Sequence, residues 1–168
     1  MSDMLHIPSS RRRLLILAGT GMFGLVAGCT TMDLMPSEPR DASDQTAAAL
    51  PITNAVRAGR GLAPLGFDKA AQVAALSQAR RMAKVGQMSH LIGFNDSFLK
   101  RMQAVDVTLP AAENIATGQD DVARAVDAWV KSPKHLKNML GGYRGLGVAV
   151  AKSPSSANRP YWAMVLSS

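Results

Sequence analysis

The run from Leu14 to Gly28 constrains this chain most: about fifteen residues without a charge, preceded by Arg11-Arg12-Arg13 and closed by the only cysteine, Cys29. A bilayer-spanning helix needs about twenty apolar residues, so the run is short for a span and suits the apolar core of an export leader. It ends in Val26-Ala27-Gly28-Cys29. Small residues before a cysteine admit the backbone to a signal peptidase, and the thiol is then the atom that receives lipid. An ordinary leader followed by a chance cysteine is the competing reading. Ser10-Arg11-Arg12-Arg13-Leu14-Leu15 also looks like a twin-arginine signal, although three arginines suit the general secretory route equally.

With one cysteine, no intramolecular disulfide can form. A domain exported to an oxidising compartment must then be held by its core alone. Acylation would consume the thiol, and several acyl chains anchor where one is marginal. The reading therefore divides the chain into a signal peptide (1–28), a lipidated polar tether (29–43, with Pro36 and Pro39) and one folded domain (44–168). Loss of the leader takes Arg11, Arg12, Arg13 and Asp3 and lowers the formal charge from +7 to +5. That balance suits an anionic neighbour such as acidic lipid or wall polymer. The cations are scattered without interleaved aromatics, so no nucleic acid is expected as a partner.

Pattern and punctuation place the elements. Asp44 is a candidate helix cap before a helix over 45–58, with Pro51 marking its effective start. Asp68 caps a second helix to about Val85, where Ala71, Ala74, Ala75, Ala79, Met82 and Ala83 share a face and Gly86 stops the chain. Helices follow over 96–104 and from Asp120 or Asp121, and Ser132-Pro133 starts a short one running to Leu140. Residues 111–116, 146–151 and 161–166 read as strands. The predicted class is α+β, helices packed on a small antiparallel sheet.

Three titratable residues sit at element boundaries: His90, Glu113 and His135. Two imidazoles and a carboxylate form the ligand set of a catalytic or exchangeable zinc site, or of a general acid/base pair. Spacing alone does not bring them together.

Several ordered motifs carry a resemblance. Asn54-Ala55-Val56-Arg57 with Gly61-Leu62-Ala63-Pro64-Leu65, then Met88-Ser89-His90, Glu113-Asn114-Ile115-Ala116 and Trp129-Val130-Lys131-Ser132-Pro133-Lys134-His135, run in family order. Asn138-Met139-Leu140, Gly145-Leu146-Gly147-Val148-Ala149 and Tyr161-Trp162-Ala163 complete the set. Over residues 46–168 the chain resembles bacterial domains of the CAP superfamily (cysteine-rich secretory protein, antigen 5, pathogenesis-related; SCP-like extracellular proteins). The resemblance implies a three-layer α-β-α sandwich whose cavity carries two histidines and two glutamates. His90, Glu113 and His135 fall on three of those positions; the fourth, a glutamate, is Ser132 here.

Ser132 is better placed as a helix cap than as a nucleophile. Asn114 and Asn138 are expected to tie backbone around Glu113 and His135, and Trp129 to anchor the core. The missing carboxylate weakens an acid/base mechanism, while a zinc or other divalent-metal site at His90, Glu113 and His135 is unaffected. The expectation is a lipid-anchored envelope binding module, monomeric, on the periplasmic side with the outer membrane favoured. Acylated Cys29 would hold it to the membrane, and lipid, sterol or peptidoglycan are its candidate partners. The alternative is a metal-dependent hydrolase of peptide or wall material using the same three residues. Whether the chain is an enzyme stays open, leaning against.

Overall fold

A computed structural model describes residues 41–168; the leader, Cys29 and the tether up to residue 40 lie outside the described residues. In order the elements are β1 (Asp41–Asp44), α1 (Thr46–Ala58), β2 (Gly66–Phe67), α2 (Lys69–Val85) and α3 (Phe98–Gln103). Then come β3 (Ala111–Thr117), α4 (Val122–Lys131), α5 (Pro133–Met139), β4 (Gly145–Lys152) and β5 (Tyr161–Ser167). The strands make one five-stranded sheet in the order β1-β4-β5-β3, and β2 adds a short parallel pairing on β4. The expected α+β class with a small, mainly antiparallel sheet holds.

Strand alternation sorts the core into two halves. On β5, Tyr161, Ala163 and Val165 face one cluster with the α2 alanines, Met82 and Met102, while Trp162, Met164 and Leu166 face the other with Ala49, Val126 and Trp129. Side chains alternate across a strand, so each face of the sheet acquires its own helical layer. α2 approaches closest because its packed face is nearly all alanine. Where it crosses β4, the sheet residue is Gly147, and a Cβ there would overlap the backbone of Ala71 and Gln72.

Helix ends follow the polar punctuation. Asp68 Oδ1 accepts the Ala71 N–H (3.0 Å), and Gly86 closes α2 in the left-handed conformation. Asp121 Oδ1 accepts the Arg124 N–H (2.8 Å) and opens α4.

Four expectations require correction. Residues 41–43, assigned to the tether on composition, form β1, because Asp41–Asp44 pairs antiparallel with β4 from Lys152 to Ala149. Pro51 lies inside α1 rather than at its start. The helix begins at Thr46, whose N–H bonds Asp44 Oδ1 (3.0 Å) and whose buried hydroxyl accepts the Val148 N–H (2.9 Å). Ala47 and Pro51 are both exposed, so water can satisfy the carbonyl that proline leaves unpaired. The third helix, expected over 96–104, spans only Phe98–Gln103, with Ser97 as its cap. Ser132 does occupy the cap position of α5 with Pro133 first in the helix, but its hydroxyl makes no capping bond; the backbone conformation alone starts that turn.

Candidate functional site

β3 forms one edge of the sheet. Groups from the two helical layers can therefore meet beyond it without crossing the sheet. Glu113 pairs with Val165 on the α2 side, and Asn114 pairs with Met164 on the α4–α5 side. Adjacent residues of one strand thus serve both layers.

On the α2 side Glu113 is buried and its carboxylate is fully engaged. Oε1 lies 2.9 Å from His90 Nδ1 and 3.2 Å from Arg101 Nη2, and Oε2 accepts from Arg101 Nη1 at 2.8 Å. The Arg101 fork on one carboxylate is the strong form of charge-assisted hydrogen bond. It also donates to the His90 carbonyl at 2.9 Å. Behind it Asp96 joins Arg101 Nε (3.3 Å) to Arg81 Nη2 (2.6 Å) and accepts the Ile92 N–H (2.6 Å). Burial alone would raise the Asp96 carboxyl. The Arg81 hydrogen bond, the Ile92 N–H and the charges of Arg81 and Arg101 outweigh it and hold the group below its ordinary value.

The loop carrying His90 is braced from beneath. Gln78, buried on α2, donates to the Ser89 carbonyl (2.8 Å), and Arg81 donates to the Ile92 carbonyl (2.5 Å). His90 itself is half exposed. Its Nδ1 is committed to Glu113, so the tautomer consistent with that bond carries the proton there and presents Nε2 outward.

On the other side, Asn114 donates to the His135 carbonyl (3.0 Å) and accepts from Asn138 Nδ2 (2.8 Å), which also reaches the Glu113 carbonyl (3.4 Å). The backbone each asparagine ties is the reverse of that expected: Asn114 holds the His135 carbonyl, and Asn138 reaches the Glu113 carbonyl and the Asn114 side chain. Burial, and after it the neighbouring His90 imidazole, pushes the half-buried His135 ring below its ordinary value. Trp129 is a core anchor with no exposed surface, and its indole N–H finds no partner among the described residues.

Among the described residues, no three His, Cys, Asp or Glu side chains are grouped as a metal-ligand set. The donor chemistry fits a metal in a narrower way. Glu113 spends both oxygens on N–H donors and holds His90 by Nδ1, the outer-sphere place of a carboxylate behind a ligating histidine. The first-sphere donors would be the imidazoles of His90 and His135. Arg101, Asp96 and Arg81 lie in no motif that marks them as site residues. Their only signal was that Asp96 is the one acidic residue between Asp68 and Asp106.

Comparison with known proteins decides the family. The family model described as CAP, cysteine-rich secretory protein family, matches residues 50–166. The chain belongs to that family. Among curated Bacillus subtilis relatives, the uncharacterised protein YkwD is 30% identical over 121 residues, covering 71% of this chain and 47% of the relative. The uncharacterised membrane protein YlbC is 32% identical over 111 residues, covering 65% of this chain and 32% of the relative. This chain therefore spans half or less of those CAP relatives. An extracellular SCP-domain protein of Bacillus anthracis superposes with TM-score 0.64 at 24% identity, covering 73% of this chain and 40% of that one. A Borrelia burgdorferi outer surface protein gives 0.63 at 18% identity, with 72% and 90% covered. At these identities the structures establish the CAP fold. No helix of the described residues is long and apolar enough to cross a membrane.

Proposed function

We propose that this CAP-family protein is an exported envelope module, tethered by acylated Cys29, whose His90 and His135 imidazoles bind a divalent cation such as zinc. One observation carries the reading: Glu113, itself locked by Arg101, holds His90 through Nδ1 at 2.9 Å and leaves Nε2 as the outward donor. A carboxylate behind a ligating histidine orients the ring and raises its basicity. Export rests on the leader sequence and accords with the extracellular and outer-surface descriptions of similar proteins. Binding is favoured over metal-dependent hydrolysis because a hydrolase would need Glu113 free as a base, and both of its oxygens are held.

The test is calorimetric titration of zinc into the chain from residue 29 onward, with mass spectrometry of Cys29 in material taken from its membrane. One zinc per chain is expected, weakening in acid because protons compete for the imidazole nitrogens. Equal binding by a His90→Ala/His135→Ala variant refutes the site, and an unmodified Cys29 refutes the anchor. A Glu113→Gln variant should bind more weakly by about ten- to a hundredfold, as loss of an outer-sphere partner does.

A further inference from the structure

The loop that follows α2 displays more apolar surface than its surroundings warrant. Phe94 is 98% exposed, Leu91 55% and Met88 49%, and Val85 just before the loop and Leu99 just after it are also exposed. Loops are ordinarily more mobile than the elements they connect. This one is held: Gln78, Arg81 and Arg101 bond the carbonyls of Ser89, Ile92 and His90 from beneath, and Asp96 takes the Ile92 N–H. Gly93 (φ 87°) and Asn95 (φ 60°) flank Phe94 in the left-handed region and form the turn that carries it. A braced loop holding phenylalanine in water is an exposed patch of the kind that marks an interaction site.

Charge identifies the occupant. Between Asp68 and Asp106 the only acidic residue is Asp96, almost fully buried in its ion pairs, against Lys69, Arg80, Arg81, Lys84, Lys100 and Arg101. Lys84, in the last turn of α2, and Lys100, on α3, are exposed on either side of the loop in sequence. Apolar side chains bordered by cations, in a stretch whose one internal carboxylate is spent on ion pairs, match an anionic bilayer surface, where aromatics enter the acyl boundary and lysines meet headgroups. Geometry permits it. Residues 30–40 separate Cys29 from β1 and can span at most about 40 Å, so an acylated Cys29 keeps the domain within reach of its own membrane. We infer that the 88–94 loop is a second membrane contact, dipping Phe94 and Leu91 into the anionic leaflet that carries the anchor. The inference rests on the tethered reading only for proximity.

The test places a reporter indole at Phe94→Trp and, as control, at Phe67→Trp. Phe67 is 54% exposed but lies just before α2, whose 17 residues put about 26 Å between it and the loop. Each full-length variant is expressed with its own leader, purified as processed, and reconstituted into phosphatidylglycerol-containing vesicles with brominated acyl chains. Trp129 and Trp162 are buried and contribute an equal background. Position 94 should be blue-shifted and quenched about twofold or more beyond position 67, as expected for a ring at the acyl boundary. The difference should shrink in zwitterionic vesicles and in a Lys84→Glu/Lys100→Glu background. Thermal melts matching wild type confirm that the exposed substitutions leave the fold intact. Equal quenching at the two positions overturns the inference, as does quenching indifferent to lipid charge or burial of Phe94 by another protein without lipid quenching. Acylation of Cys29 is read separately by mass. An acylated chain with equal quenching refutes the loop contact and spares the anchor; an unmodified Cys29 with strong position-94 quenching does the reverse.

Discussion

Replacing Arg101 with methionine should be among the most damaging single changes near the site. The Glu113 side chain is 2% exposed and that of Arg101 14%, so the pair is screened by protein rather than water. Methionine preserves much of the apolar stem but removes the guanidinium from both carboxylate oxygens, the His90 carbonyl and Asp96. Removing one member of a buried pair costs about 3–5 kcal/mol, because the other charge is left uncompensated. His90 still contacts Glu113, and part of Arg101 reaches solvent, so the loss should fall at the low end, about 3 kcal/mol. For a domain of this size that lowers Tm by roughly 10 °C. The assay is urea unfolding of Arg101→Met, Glu113→Gln and the double variant. Neutralising Glu113 removes the stranded charge, so the double variant should lose less than the sum of the singles, with a coupling of at least about 1.5 kcal/mol. Coupling below about 0.5 kcal/mol, the scatter of independent sites, would refute the claim that this pair braces the loop.

Three other measurements probe the frame and its acid response. Gly147→Ala should cost about 3 kcal/mol or abolish soluble expression, since the added methyl meets the α2 backbone rather than a movable side chain; Gly142→Ala, where nothing lies within 4 Å, is the control and should stay within about 0.5 kcal/mol. Thr46→Val should lose about 1–3 kcal/mol by denaturant titration, because it strands the Val148 N–H and removes a 2.5 Å bond to Asp44. Acid should weaken the metal-free fold in two stages. The depressed His135 ring takes up its proton more readily when unfolded, so stability present above about pH 6.5 declines as pH falls through the window down to the folded value. Asp96, also depressed, adds stability that is present above about pH 3.9 and is lost as pH falls from there through its folded value. Urea midpoints across pH should lose the upper stage in His135→Asn; its persistence there would assign that stage to another group.

How much was legible in advance depended on whether the cause was local. Asp68, Gly86 and Asp121 mark helix ends because capping and left-handed geometry act within a few residues, and Pro133 starts α5 because its ring presets the first helical φ. The strands at 145–152 and 161–167 were readable as apolar runs set off by glycine and turn residues. β1 and β2 were not: Asp41–Asp44 and Gly66–Phe67 have little strand character of their own, and pairing with β4 recruits them. Pro51 misled because a local rule about proline yielded to the anchoring of Thr46 and the burial of Ala49, Thr53 and Arg57 on the inner face. Arg57 is a further case. It is 2% exposed, and its guanidinium is satisfied by the carbonyls of Ala63, Met139, Gly141 and Tyr143, which no spacing announces.

The site divides along the same line. The sequence by itself determined which residues are chemically able to act there: two imidazoles and a carboxylate set in family motifs, with Ser132 where the resemblance implies a second carboxylate. Only the tertiary structure decided what each of them bonds. Glu113 and Asn114 are neighbours in one strand, yet β3 is a sheet edge, so one serves the α2 layer and the other the α5 layer. Arg101, which no local pattern announces, reaches Glu113 from α3, and Glu113 in turn bonds His90. Hydrogen-bond partners twelve or more residues apart are chosen by packing, and packing is a property of the assembled layers rather than of any stretch of chain.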